Sequence, residues 1–92
     1  MLIVIKFYGH LKEFSTNASE LSVEMVHDGD TVRSLIKVLS EQFGKRLGLL
    51  IDPKTGELAP AYLIAVNGKL AGLNTSLKDN DVVAFIPALD GG

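Results

Sequence analysis

The sequence predicts an α+β roll, a mixed β-sheet with one main helix lying across it. Three observations predict it. Two alternating apolar segments open the chain, at residues 2–8 and 21–26. A single stripe of apolar residues at helical spacing follows over residues 32–43. Two more alternating or β-branched segments, at 61–66 and 81–86, close the chain on either side of the tight-turn pair Asn67-Gly68.

Each element has a local reason. As a strand, residues 2–8 put Ile3, Ile5 and Phe7 on the core face and Val4, Lys6 and Tyr8 on the other. After a polar, glycine-containing stretch, Leu21, Val23 and Met25 alternate with Ser22 and Glu24, the pattern of a half-buried hairpin partner for the first strand. His27-Asp28-Gly29-Asp30-Thr31 is a turn into a helix start, where Asp30 or Thr31 accepts the free N–H groups of the first turn. Val32, Leu35, Ile36, Leu39 and Phe43 then share one helix face, with Arg33, Lys37, Ser40 and Glu41 toward solvent. Gly44 suits a left-handed helix terminus.

Residues 45–60 read as an irregular connection with a short apolar run at 47–51 and a turn at Asp52-Pro53-Lys54-Thr55-Gly56. The strand at 61–66 turns through Asn67-Gly68 into a short strand near Lys69-Leu70, and Leu77-Lys78-Asp79-Asn80 leads into the last strand. Pro87 has no N–H to donate and is expected to end the sheet pairing. The domain then spans residues 1–87, and Ala88-Leu89-Asp90-Gly91-Gly92 forms a flexible tail at 88–92. One helix between a first pair of strands and a last set of three gives the order β-β-α-β-β-β, that of the β-grasp, ubiquitin-like roll.

Composition removes several function classes. The chain has 92 residues, enough for one core, and its 47% hydrophobic and 22% charged content is that of a folded domain. Nine Lys or Arg against eleven Asp or Glu leave a net charge of −2 with no basic stripe, so nucleic acid is not an expected ligand. The absence of cysteine excludes disulfides, thiolate metal ligands and a thiol nucleophile, and fits a cytoplasmic protein. Lys6 interrupts the apolar N-terminus well short of a membrane span or signal segment. His10 and His27 are the two histidines. His27 stands among Asp28 and Asp30, but Asp-Gly-Asp is ordinary turn and capping chemistry, and no metal site is expected. Lys54-Thr55-Gly56 lacks the spacing of a phosphate loop, and Lys12-Glu13, Glu41 and Lys45-Arg46 read as solvated surface. No convergent nucleophile, base and oxyanion donor remain, so the chain is expected not to be an enzyme.

The tail carries the chemistry. A strand, a proline, a short spacer and Gly91-Gly92 make an arm reaching roughly 17 Å over five extended residues at about 3.4 Å each. Two residues without Cβ can thread a narrow channel and take backbone angles closed to other residues. The terminal carboxylate is a poor electrophile until activated, most simply as an acyl-adenylate made with ATP by a separate enzyme. Sulfur replacing one oxygen would give a thiocarboxylate, and a lysine amine would give an isopeptide.

The run from Leu77 through Val82-Val83-Ala84-Phe85-Ile86-Pro87 to Asp90-Gly91-Gly92 resembles the ending of molybdopterin synthase small subunits, within the ThiS-like ubiquitin-like sulfur carriers. The opening from Ile3 to Glu13, the helix after Asp30-Thr31-Val32, and Ile64-Ala65-Val66-Asn67-Gly68 are similar to that family as well. The resemblance implies that Gly92 is adenylated by a ubiquitin-activating-like enzyme, converted to a thiocarboxylate, and inserted into the large synthase subunit, with Gly91 easing passage. It implies docking of partners through Tyr8, Leu70, Ile86 and Pro87, no cofactor bound by the chain itself, and ATP used by the activating enzyme. Pro87-Ala88 and Asp90 depart from the two prolines and small hydroxyl residue frequent before Gly-Gly in that family, and residues 45–60 exceed a minimal carrier. Thiazole-synthesis carriers, tRNA-thiolation carriers and archaeal ubiquitin-like modifiers share the fold and tail, and the last two also attach to target-protein lysines.

Overall fold

Alternation in the first segment becomes β1 (Leu2–Phe7), with Ile3, Ile5 and Phe7 buried and Leu2, Val4 and Lys6 half-buried on the opposite face. The computed structural model describes residues 1–15, 17–25 and 30–88. The turn expected at His27, Asp28 and Gly29 lies outside them. β2 (Glu20–Glu24) runs antiparallel to β1 with Val23 opposite Ile3, which sends Val23 into the core and leaves Glu20, Ser22 and Glu24 exposed. Leu21 is half-buried at the margin of the core.

Between these strands the stretch expected to be merely polar folds into a 3-10 helix, Gly9–Phe14. Its three-residue period puts Leu11 and Phe14 on one side, and both are buried. The helix α1 (Val32–Gln42) starts at Thr31, whose side-chain oxygen accepts the Ser34 N–H at 3.4 Å, and buries Val32, Leu35, Ile36 and Leu39. Phe43 closes it, half-buried, donating its N–H to the Leu39 carbonyl. Gly44 departs from expectation: its backbone is extended, with φ 161°, not left-handed. Glycine is needed there for a different reason, because a Cβ would strike the backbone carbonyl oxygen of Phe14.

Residues 45–60 are also more ordered than expected. Lys45–Leu50 forms a second 3-10 helix burying Leu47 and Leu50, and a bridge between Ile51 and Leu58 closes the following turn. Arg33 reaches from α1 to donate to the Gly56 carbonyl. The remaining strands are β3 (Tyr62–Val66), β4 (Lys69–Ala71) and β5 (Val82–Pro87). Asn67 at φ 52° and Gly68 at φ 83° make the β3–β4 turn, as their sequence predicts.

The sheet order is β2-β1-β5-β3-β4, with β1 parallel to β5 and every other neighbour antiparallel. The stripe of α1 joins the inward residues of the sheet in one core, in which the Phe7 and Phe85 rings stack with centroids 5.9 Å apart. This is the β-grasp architecture expected.

Candidate functional site

The central strand β5 sends Val83 and Phe85 inward and Val82, Ala84 and Ile86 outward, and the tail continues from its end. Register aligns the outward residues into rows. Ile86 faces Leu63 on β3, and Tyr8, one residue past the Phe7–Phe85 pair, stands on its other side. In the next row Lys6, Ala84, Ala65 and Leu70 run across β1, β5, β3 and β4.

Tyr8, Leu63 and Leu70 are 48%, 40% and 76% exposed, three of the four exposed large apolar residues among those described. All three stand on one sheet face near the end of β5, where exposed apolar residues of a surface are more commonly scattered singly. The polar outer residues of β2 bound it on one side. The sequence-predicted Tyr8, Leu70 and Ile86 therefore come together. Leu63, Ala65 and Ala84 were missed, although the alternation of residues 61–66 already places Leu63 and Ala65 opposite Ile64.

Pro87 has a different position. By the alternation of β5 it falls on the side away from Ile86, paired in register with Tyr62. The strand ends at Pro87, and one backbone bond follows it, the Ala88 N–H donating to the Ala61 carbonyl at 2.7 Å. The expected tail beyond Ala88, Gly91 and Gly92 included, lies outside the described residues.

The root of the tail is braced from β1 as well. Tyr8 donates its N–H to the Phe85 carbonyl at 3.0 Å, and Gly9 turns at φ +59° directly against the proline ring. A Cβ on Gly9 would lie 2.8 Å from Pro87 Cγ. Tyr62, the partner of Pro87, meets the edge of Phe14 at 6.3 Å between centroids, and the Arg46 guanidinium sits 4.4 Å over the Phe14 ring. His10 also packs edge-on against Phe14, which gives it a structural contact. The sequence assigns Gly9 no role, and only its left-handed backbone and its neighbour reveal its part in this root.

Among the described residues no group of three His, Asp or Glu side chains is placed to hold a metal ion. No helix among them is long and apolar enough to cross a membrane.

A five-stranded mixed sheet in this order with one helix packed across it is the fold of ubiquitin-like proteins. The ThiS family model matches residues 5–92, and the chain belongs to that family of ubiquitin-like sulfur carriers. No curated protein sequence matches it. Among solved structures it is similar to a protein from Pyrococcus furiosus described as molybdopterin converting factor, subunit 1. That match has 25% identity and a TM-score of 0.69 and covers 97% of this chain and 99% of the other. It is also similar to the small archaeal modifier protein 1 of Methanosarcina acetivorans, at 26% identity and a TM-score of 0.76, covering 99% and 96%. A match in the Amycolatopsis orientalis BexX/CysO complex has 21% identity and a TM-score of 0.76, covers 98% and 99%, and supports the fold.

Proposed function

We propose that this chain is a non-catalytic carrier acting in the cytoplasm, whose Gly92 carboxylate is activated by a ubiquitin-activating-like enzyme and then sulfurated. The carboxylate oxygen attacks the α-phosphorus of ATP and pyrophosphate leaves; hydrosulfide then attacks the acyl carbon, AMP leaves and the sulfur loses its proton, giving the thiocarboxylate. The sulfur is donated to molybdopterin synthesis, with this chain as the small subunit and the arm entering the large one. Gly91 lets the arm pass. The face of Tyr8, Leu63, Leu70 and Ile86 docks the partner, and Pro87 sets the direction in which the arm departs.

The observation carrying this reading is the apolar face beside the braced end of a central strand that leads into Gly91-Gly92. A docked face and a threaded arm are the two things a carrier must offer an enzyme with a buried site. Intact-mass measurement after incubation with ATP, an activating enzyme and a sulfur source should show one oxygen exchanged for sulfur at Gly92. An unchanged mass with an activating enzyme proven competent on another carrier rules the reading out.

A second reading is a protein modifier, supported by the similarity to the Methanosarcina acetivorans modifier. It requires Gly-Gly isopeptides on target lysines in cell extracts that disappear when Gly92 is deleted. Carriers for tRNA thiolation or thiazole synthesis would load the same way and differ only in the acceptor.

A further inference from the structure

Asn67-Gly68 has a reactivity that its role as a turn leaves unused. With no side chain on the second residue, the Gly68 backbone nitrogen is free to attack the Asn67 side-chain carbonyl carbon. The N–Cγ bond forms, the Cγ–Nδ2 bond breaks, and the Gly68 amide proton departs with Nδ2 as ammonia. Water then adds to the cyclic imide and opens one of its two C–N bonds, leaving aspartate or isoaspartate at position 67. Gly68 is open to this, since nothing lies within 4 Å of where a Cβ would stand.

The fold opposes it. Asn67 Nδ2 donates to Asp81 Oδ1 at 2.8 Å, and Asn67 Oδ1 accepts the Val82 N–H at 2.9 Å. The Asn67 N–H donates to the Val82 carbonyl at 2.8 Å, and Asp81 is itself fixed by accepting the Lys78 N–H at 2.8 Å. Both ends of the amide are thus tied to the start of β5, and reaching the Gly68 nitrogen means giving up both bonds.

We propose that Asn67 is a deamidation site of this protein, protected in the native fold by its clasp to Asp81 and Val82 and exposed when that clasp opens. The product carries its own consequence. A carboxylate at position 67 still accepts the Val82 N–H but has no N–H for Asp81 and faces it as a like charge, so the Asp81 half of the clasp is lost at the turn that joins β3 to β4, the hairpin bearing Leu63, Ala65 and Leu70. Only this effect on docking rests on the carrier reading; the modification does not.

The test follows conversion of Asn67 by peptide mapping with isoaspartate detection, at mildly alkaline pH and physiological temperature, distinguishing it from Asn17, Asn74 and Asn80. The native protein should convert at least about tenfold more slowly than the same protein in concentrated urea, and Asp81→Ala, which removes the acceptor of the Asn67 amide and is shown folded by circular dichroism, should convert about tenfold faster than the wild type. Equal rates in the native and urea-unfolded chains overturn the proposal. So does a folded Asp81→Ala protein that converts at the wild-type rate. If Asp81→Ala does not fold, the comparison with urea decides.

Discussion

Gly9 is held to glycine by two separate constraints, a left-handed backbone at φ +59° and the Pro87 ring 2.8 Å from the position of a Cβ. An alanine there carries the steric cost of the left-handed region, about 1–2 kcal/mol, and displaces the proline that begins the tail. Gly9→Ala should lower the urea midpoint by an amount equivalent to about 1–3 kcal/mol. Gly72→Ala, with nothing within 4 Å and no left-handed backbone, should stay within about 0.5 kcal/mol of the wild type. Equal effects of the two substitutions would show that Gly9 is an ordinary loop residue. At this scale the sequence speaks unevenly. The left-handed Asn67 and Gly68 are announced by their dipeptide. Gly9 and Gly44 are not, because what excludes a side chain at each is a segment distant in sequence: Pro87 for one, the Phe14 carbonyl for the other.

Strands and helix were legible because burial imposes a period of two or of about 3.6 on the apolar residues, and β1, β5 and α1 show those periods cleanly. The two 3-10 helices were not, since six residues with a pair of buried side chains each leave too short a repeat to tell from a loop. The outer face was legible in part. Alternation says which residues of a strand share a side, but joining Leu63 to Ile86 and Ala65 to Leu70 needs the strand order. The face also allows a clean separation of binding from stability. Leu70 is 76% exposed on β4, so Leu70→Asp should change stability by less than about 0.5 kcal/mol while weakening the complex with the activating enzyme by about tenfold or more, a loss above 1 kcal/mol. Leu49→Asp is the matched control: that leucine is 57% exposed on the second 3-10 helix, off the sheet, and its loss should leave binding unchanged in calorimetry. Equal weakening by both would remove the sheet face as the docking surface.

Across the whole molecule, the first and last strands lie side by side as the parallel pair β1 and β5, with β2 on one flank and β3 and β4 on the other. The strand that bears the tail is therefore the middle of the sheet, bonded on both edges and covered on its inner face by the core. The end of this strand is fixed, because moving it means breaking its pairing with β3 and the bond from the Tyr8 N–H to the Phe85 carbonyl. The parallel pairing was the least legible part of the fold, since it joins residues from opposite ends of the chain and no local pattern encodes it. The same arrangement predicts that fold and chemistry separate at a definite position. Deleting Gly91 and Gly92 should leave the thermal midpoint unchanged and abolish the sulfur mass shift. Deleting residues 87–92 removes in addition the Ala88–Ala61 bond and the packing of Pro87 against Gly9. That loss of about 1–2 kcal/mol corresponds to a fall of roughly 4–16 °C for a domain of this size. Two truncations with the same midpoint would mean that Pro87 and Ala88 add nothing to the fold, and the braced root would then not be what aims the arm.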